Sequence, residues 1–373
     1  MVQRISIISY APERNRQGFD LASICSERGN TVRLFQLSNR TERERISDRL
    51  DVKRIRLVSP KVLPRGRGLL TMAKFILSSV CTPADIVVGI NLPGLQVGSL
   101  VSRLNNARLI YYSLEMCDGR KREIERQLLK KRCYAIIGVE ENRLHIVLDS
   151  VNGTIPTFVI HNVPRKGFAL PTKGRLRHYL VQKYGVRPDQ KIVLLHGSYQ
   201  QYLCIEAILE SMKQWSAEVL LGLMLTDAVP HHIQAKITEH KHRAFLVPPV
   251  SHTELYKWMA DADLGLLPYD GCQSNAVRFC SPQKLFDYMA CGIPILGSKR
   301  PIIQKVLSTY QVGLLADFSN PIAISDGINA MLGLPREKWY FMKQQARECY
   351  EGKYNYDDQA KELIEFIGSI AER

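Results

Sequence analysis

Short apolar, β-branched runs alternate with stretches of helical period along this chain, and the theme breaks once and restarts. The runs are continuous and lack the polar alternation of a half-exposed strand. That is the pattern of strands buried on both faces of a parallel sheet. In the first half it predicts strands over Ile5–Ser9, Thr31–Leu37, Arg54–Val58, Asp85–Ile90, Arg108–Tyr112, Tyr134–Val139 and Thr157–Ile160. Helices are predicted over Phe19–Arg28, ended by Gly29 as C-cap, and over Arg120–Arg132. The polar, basic stretch from Pro164 to Gln190 reads as a linker with a short helix, Gly174–Tyr184. Strands then resume at Lys191–His196, Ala217–Leu225, Arg243–Val247, Asp263–Pro268 and Ile293–Gly297. Helices are expected over Gln201–Trp215, Ile233–Lys241, Thr253–Ala260 and Pro282–Cys291, near Ile302–Thr309 and Ile322–Met331, and through the long region Arg336–Ile370.

Two βαβ series with a break between them imply an α/β chain of two doubly wound, Rossmann-like domains. The expected boundaries are 1–164 for the first, 165–190 for the linker and short helix, 191–353 for the second and 354–373 for a C-terminal helix. Ligands of such sheets sit at the carboxyl ends of the strands, so the chemistry is sought in the loops that follow them. No G-x-G-x-x-G opens either half. Gly66 and Gly68 follow no strand and have no third glycine, which removes the usual sign of an NAD site.

Composition narrows the class. The 373 residues are 45% hydrophobic and 23% charged, a globular balance. No apolar run approaches the ~18 residues of a membrane span. The opening MVQRISIISYAPERNRQG reads as a first strand and not as a secretory signal. The 9 Cys include no C-x-x-C pair, and the 9 His form no H-E-x-x-H. This pattern points to a reduced, cytoplasmic protein without structural zinc. Residues 1–190 carry a net charge of +17 and residues 191–373 one of −2. Such asymmetry points to an anionic partner for the first half alone.

The segment Cys272–Ser298, CQSNAVRFCSPQKLFDYMACGIPILGS, carries the candidate chemistry. Ser281 followed by Pro282 is the pattern of an N-cap with proline at the first helical position. A helix opening there, after the strand at 263–268, presents free N–H groups and a positive dipole end to an anion. Arg278 just before it and Lys284 in its first turn add cationic donors for phosphate oxygens. Asp287, one turn on from Lys284, suits the hydroxyls of a ribose. The competing reading is a core helix with a surface Lys284–Asp287 ion pair, worth at most about 0.5 kcal/mol.

The run Pro282-x-Lys284-Leu285-Phe286-Asp287-Tyr288-Met289-Ala290-x-Gly292-x-Pro294 resembles the signature of group 1, or family 4, glycosyltransferases of the GT-B fold. The strand ending His196-Gly197-Ser198 is similar to that family's donor-loop strand. Tyr256-x-x-Met259-Ala260-Asp261-Ala262-Asp263-Leu264 resembles its helix–strand lead-in, and Asp85–Val88 and Tyr111–Glu115 resemble strands of its N-terminal domain. The resemblance implies two Rossmann-like domains facing across a cleft, with the donor on the C-terminal one. It implies metal-independent transfer, more in keeping with retention than inversion. It places Gly197, Ser198, Tyr199, Pro249, Val250, Ser281, Pro282, Lys284 and Asp287 at the donor, Pro249 and Val250 under the base. Arg278 and Lys284 would stabilise the leaving diphosphate, and Glu115 would orient acceptor or sugar. The C-terminal helix would cross back to the first domain. The chain departs from the family in its donor loop: Ser198–Cys204, SYQQYLC, has no cation, and the first acid of the family's spaced pair falls at Phe279.

Other candidates were weighed beside these. Asp261-x-Asp263 matches a D-x-D metal pattern, but at a helix end before a buried strand it reads as capping. Asp118 and Glu115 are also ordinary loop acids, and His196 an ordinary edge histidine. Lys61–Lys74 and the helix Arg120–Arg132 suit an anionic bilayer face. No aromatic-interleaved basic stripe suggests nucleic acid. The resulting expectation is a cytoplasmic, peripherally membrane-bound transferase of polysaccharide biosynthesis. It would move a sugar from a nucleoside-diphosphate donor, UDP or GDP, to a hydroxyl of a glycan or lipid-linked acceptor, with no bound cofactor. A non-catalytic binding subunit or a sugar-nucleotide epimerase on the same fold are the alternatives.

Overall fold

The computed structural model describes residues 2–9, 16–38, 42–47, 49–56, 66–149, 151, 155–167, 174–240 and 242–370. The chain divides into two compact units, Met1–His161 with Tyr356–Arg373, and Asn162–Asn355. Each is built on one twisted sheet.

The first unit contains β1 (Arg4–Ser9), β2 (Thr31–Ser38), β3 (Glu42–Ser47), β4 (Leu50–Arg56), β5 (Ile86–Ile90), β6 (Arg108–Ser113), β7 (Cys133–Gly138) and β8 (Thr157–Val159). They run in the order β3-β4-β2-β1-β5-β6-β7-β8. All pairings are parallel except β3 with β4. The hydrophobic runs read from the sequence fall on strands of this sheet, except that Leu57 and Val58 of the expected strand Arg54–Val58 lie outside the described residues, and β5 is buried at every position. The helices Gly66–Val80 and Asn91–Asn105 were not legible in the sequence. Asn91 follows β5 without a connecting loop, in the left-handed region at φ +56. Asparagine tolerates that conformation better than other side-chain-bearing residues. Lys61 and Arg65 of the basic stretch lie outside the described residues.

The second unit holds β9 (Lys191–Gly197), β10 (Val219–Leu225), β11 (Ala244–Leu246), β12 (Leu264–Leu267), β13 (Ile295–Gly297) and β14 (Gly313–Leu315). Their order is β11-β10-β9-β12-β13-β14, all parallel. The sequence pattern missed β14, which is three residues long and incompletely buried. The expected long helix from Arg336 is broken after Gly352, where Asn355 Nδ2 donates to the carbonyls of Tyr350 and Glu351 at 3.1 and 3.0 Å. The last helix, Lys361–Ile370, belongs to the first unit, where Phe366 packs on Tyr134 and Phe158. Among the described residues, no helix is long and apolar enough to cross a membrane.

One contact fixes the helix that carries the candidate chemistry. Tyr288 on the helix Gln283–Ala290 lies across Gly265 of β12 and donates its hydroxyl to the Leu194 carbonyl of β9 at 2.8 Å. A Cβ on Gly265 would stand 2.7 Å from three ring atoms of Tyr288. Gly265→Ala is therefore expected to lower stability by about 1–3 kcal/mol, read as a lower urea midpoint for the transition of this unit.

Candidate functional site

In the second unit the strand order reverses between β9 and β12, the unit's first and fourth strands. Ligand crevices form at such a reversal, outside the carboxyl ends. The loops leaving β9 and β12 therefore define the candidate site.

β9 ends at Gly197, held at φ +106, a conformation that costs glycine alone little. A Cβ there would meet Lys284 Cε at 2.8 Å and Nζ at 3.0 Å. The glycine both turns the chain and leaves the niche that the lysine fills. The Lys284 ammonium lies 5.7 Å over the ring of Tyr269. It forms no hydrogen bond or ion pair among the described residues, and no salt bridge joins it to Asp287. The residue as a whole is half-buried, yet the protein around its ammonium is dry enough that burial pushes it down to about 8, opposed by the charges of Cys280 and Asp287.

Lys284 stands in the first turn of the helix Gln283–Ala290. The expected start is corrected by one residue: Pro282 precedes the helix in extended conformation, and no side chain caps it. The Ser281 hydroxyl is engaged elsewhere. It accepts from the Asn162 amide at 3.2 Å, while Asn162 Nδ2 donates to the Ser281 carbonyl at 2.7 Å. The amino end is thereby left without the side-chain oxygen that the sequence assigned to it. Its dipole still favours an anion. Arg278, exposed at the end of the short helix Asn275–Arg278, lies 5.2 Å over Phe279 and has no ion pair among the described residues. Asp287 is buried and accepts from Tyr256 Oη at 2.7 Å, so one of its oxygens is already hydrogen-bonded.

Beneath the lysine lies a support that the sequence did not reveal. Tyr269, buried, stacks on Tyr202 with ring centroids 5.4 Å apart. Its amide donates to Ser298 Oγ at 2.7 Å, and its carbonyl accepts from Arg300 Nε at 2.9 Å. Arg300, itself buried, also pairs with Asp270 at 3.3 Å, and Asp270 accepts from the Phe318 amide at 2.8 Å. The only sequence signal for this clamp was an arginine just before Pro301, after a strand.

The remaining candidates are dispersed. Ser198 Oγ is 3.3 Å from Thr226 Oγ1. Tyr199 lines a hollow of about 480 Å3 with Ile205, His232 and Phe318, whose wall does not include Lys284. His196 is buried with its ring edge-on to Tyr288. Pro249 and Val250 follow β11, two strands from β9, about 10 Å across the sheet. Asp261 receives the amides of Gly174 and Arg177 at 2.6 and 3.0 Å, at the start of the helix Arg175–Tyr184. Asp263 accepts from Ile192 N at 2.9 Å and from Lys191 Nζ at 3.3 Å. Both acids of the D-x-D pattern are thus engaged in holding backbone. Among the described residues, no group of three or more His, Cys, Asp or Glu is placed to hold a metal.

In the first unit, Glu115 is exposed after β6, with its amide bound to Asn91 Oδ1 at 3.0 Å and that of Leu114 at 2.9 Å. Asn91 thereby fixes the backbone of that loop at the carboxyl edge of the sheet. Asp118 precedes the helix Gly119–Arg132 without capping it.

No family model and no curated protein matches the chain. Solved structures do. Sucrose-phosphate synthase from Thermosynechococcus elongatus is similar over 99% of both chains, at 17% identity and a TM-score of 0.79. HepE of Anabaena, solved in complex with UDP and glucose, is similar over 98% of this chain and 100% of its own, at 14% identity and 0.75. WaaG, a glycosyltransferase involved in lipopolysaccharide biosynthesis, is similar over 96% and 99%, at 14% identity and 0.67. The chain has the two-domain GT-B fold of these enzymes.

Lys284 has a depressed folded-state pKa, so the folded protein resists holding its proton. The penalty is present in full below about pH 8 and falls away as pH rises towards 10.5, where the unfolded chain also loses the proton. Lys284→Met is therefore expected to raise the Tm of the ligand-free protein at pH 7 by about 2 °C, and the gain should disappear near pH 10.5 in melts followed by circular dichroism.

Proposed function

We propose that the chain is a nucleotide-sugar-dependent glycosyltransferase that transfers a hexosyl group to a hydroxyl of a glycan or lipid-linked acceptor, with retention. The observation that carries the reading is the Lys284 ammonium. It is desolvated, without an ion pair, lodged against Gly197 at the strand reversal and next to a helix amino end. A desolvated cation without an ion pair is costly, and a diphosphate is a partner that offsets the cost. The fold shared with HepE, which was solved in complex with UDP-glucose, supports a nucleotide-sugar donor.

In this reading Lys284, the helix amino end and Arg278 hold the diphosphate. They stabilise the charge that develops as its oxygen leaves the anomeric carbon. The acceptor oxygen bonds to that carbon on the same face, and its proton passes to the departing phosphate oxygen. Asp287, held by Tyr256, faces a ribose hydroxyl of the donor. The nucleoside base lies against Pro249 and Val250, with Gly197, Ser198 and Tyr199 forming the strand-end side. Glu115, its loop fixed by Asn91, orients the acceptor. The cation-free loop 198–204 fits a site whose positive charge comes from Lys284 and Arg278. No metal step is needed, since these cations supply the charge.

The acceptor side also suggests a bilayer. In the first unit the helix Asn91–Asn105 packs between the helices Gly66–Val80 and Gly119–Arg132. Leu77, Leu100 and Leu104 are exposed there at 64%, 42% and 60%, beside exposed Lys74, Arg103, Lys130, Lys131 and Arg132. Exposed leucines with basic residues suit peripheral binding to an anionic inner membrane face.

The test is calorimetric titration with UDP, GDP and ADP, then transfer assays over a panel of nucleotide sugars. One nucleotide should bind, and Lys284→Ala should abolish transfer with the fold intact. Absence of nucleotide heat would make the chain a non-catalytic subunit, and turnover of donor without acceptor would favour an epimerase. Because bound diphosphate restores the Lys284 proton, nucleotide affinity should fall above about pH 8. Proton uptake on binding should appear in buffers of different ionisation enthalpy and vanish in Lys284→Met.

A further inference from the structure

The second unit carries another recess, at the opposite edge of its sheet. It has a volume of about 420 Å3 and is lined by Lys191, Leu332, Leu334, Arg336, Trp339 and Tyr340. Lys191 is the first residue of β9 and Gly197 the last, so the recess lies about 20 Å from the strand end at Lys284. The volume is in the range of small-molecule sites.

Its cations are held largely by aromatic faces. Lys191 Nζ lies 5.4 Å and Lys343 Nζ 4.5 Å from the Trp339 ring centre, and Arg336 Cζ 5.4 Å from that of Tyr340. A ring attracts a cation without cancelling its charge. Arg336 has no ion pair among the described residues. Lys191 shares its partner: Asp263 pairs with it at 3.3 Å and with Arg177 at 3.6 Å. The rim thus carries the Arg336 guanidinium, without an ion pair among the described residues, and Lys191, whose carboxylate partner is shared. The rest of the lining is apolar, with Leu332, Leu334 and Trp339, and Tyr340 stays 50% exposed.

We infer that this recess binds a pyranose bearing a phosphate or carboxylate, away from the transfer site. The anionic group lies between Arg336 and Lys191, and the apolar face of the ring lies on Tyr340 and the two leucines. Aromatic and aliphatic surface recognises the C–H face of a sugar, which inorganic phosphate lacks, and the cations recognise the anion, which a neutral sugar lacks. The inference is independent of the proposed transferase activity.

Calorimetric titration of the full chain tests it with four probes: glucose 6-phosphate, a uronic-acid tetrasaccharide, inorganic phosphate and glucose. Either of the first two should bind about tenfold or more tighter than phosphate or glucose. The tetrasaccharide as the tighter ligand identifies a glycan chain, and the sugar phosphate as the tighter one identifies a free metabolite. Arg336→Ala, at an exposed position, should weaken that binding about tenfold, and Tyr340→Ser should do the same, with nucleotide binding unchanged in both. Equal binding of phosphate alone, unchanged affinity in both variants, or no binding of either anionic sugar overturns the inference.

Discussion

The Lys284 ammonium sits desolvated at the strand reversal of the second unit, without an ion pair among the described residues. Lys284 is held in place by shape and not by a counter-ion: Gly197 leaves room for its stem, Tyr269 lies under its charge, and Tyr288 pins the helix that bears it to β9 and β12. Removing a cation from water without pairing it costs free energy. A fold that keeps such a group must supply rigidity around it. The Arg300 clamp on Tyr269, the Ser298 hydrogen bond and the Tyr202 stack provide it. The site is thus a rigid, positively charged niche.

The architecture was legible because buried parallel strands are written as unbroken apolar runs, and both sheets appear where those runs occur. Three kinds of feature were not. Gly313–Leu315 is too short and too little buried to leave a hydrophobic signature. The helix Asn91–Asn105 starts without a turn and caps on no polar side chain, so none of the usual start signals marks it. The break after Gly352 depends on Asn355 reaching back to two carbonyls, a contact with no local motif.

The candidate site was legible in its charged side chains and not in its scaffold. Arg278, Lys284 and Asp287 stand out through residue type and spacing alone. Their setting does not: Ser281 satisfies the backbone at Asn162 instead of the helix, and Tyr256, 31 residues before Asp287, occupies one of its oxygens. Tyr202, Tyr269 and Arg300 come from three separate loops, and only the strand order makes them neighbours. Sequence shows which side chains can do chemistry; tertiary contacts decide which of their lone pairs and charges remain available.

The first unit is not contiguous in the chain. Its sheet ends near His161, yet its last helix is supplied by residues after Tyr356, with Phe366 seated on Tyr134 and Phe158, and Tyr356 fully buried. A ribosome delivers these pieces some 200 residues apart. The second unit has all its segments in hand before the first receives the helix that covers Tyr134 and Phe158. Removing Tyr356–Ile370 would therefore leave the second unit with all of its own segments and take from the first the helix that seats Phe366 on Tyr134 and Phe158.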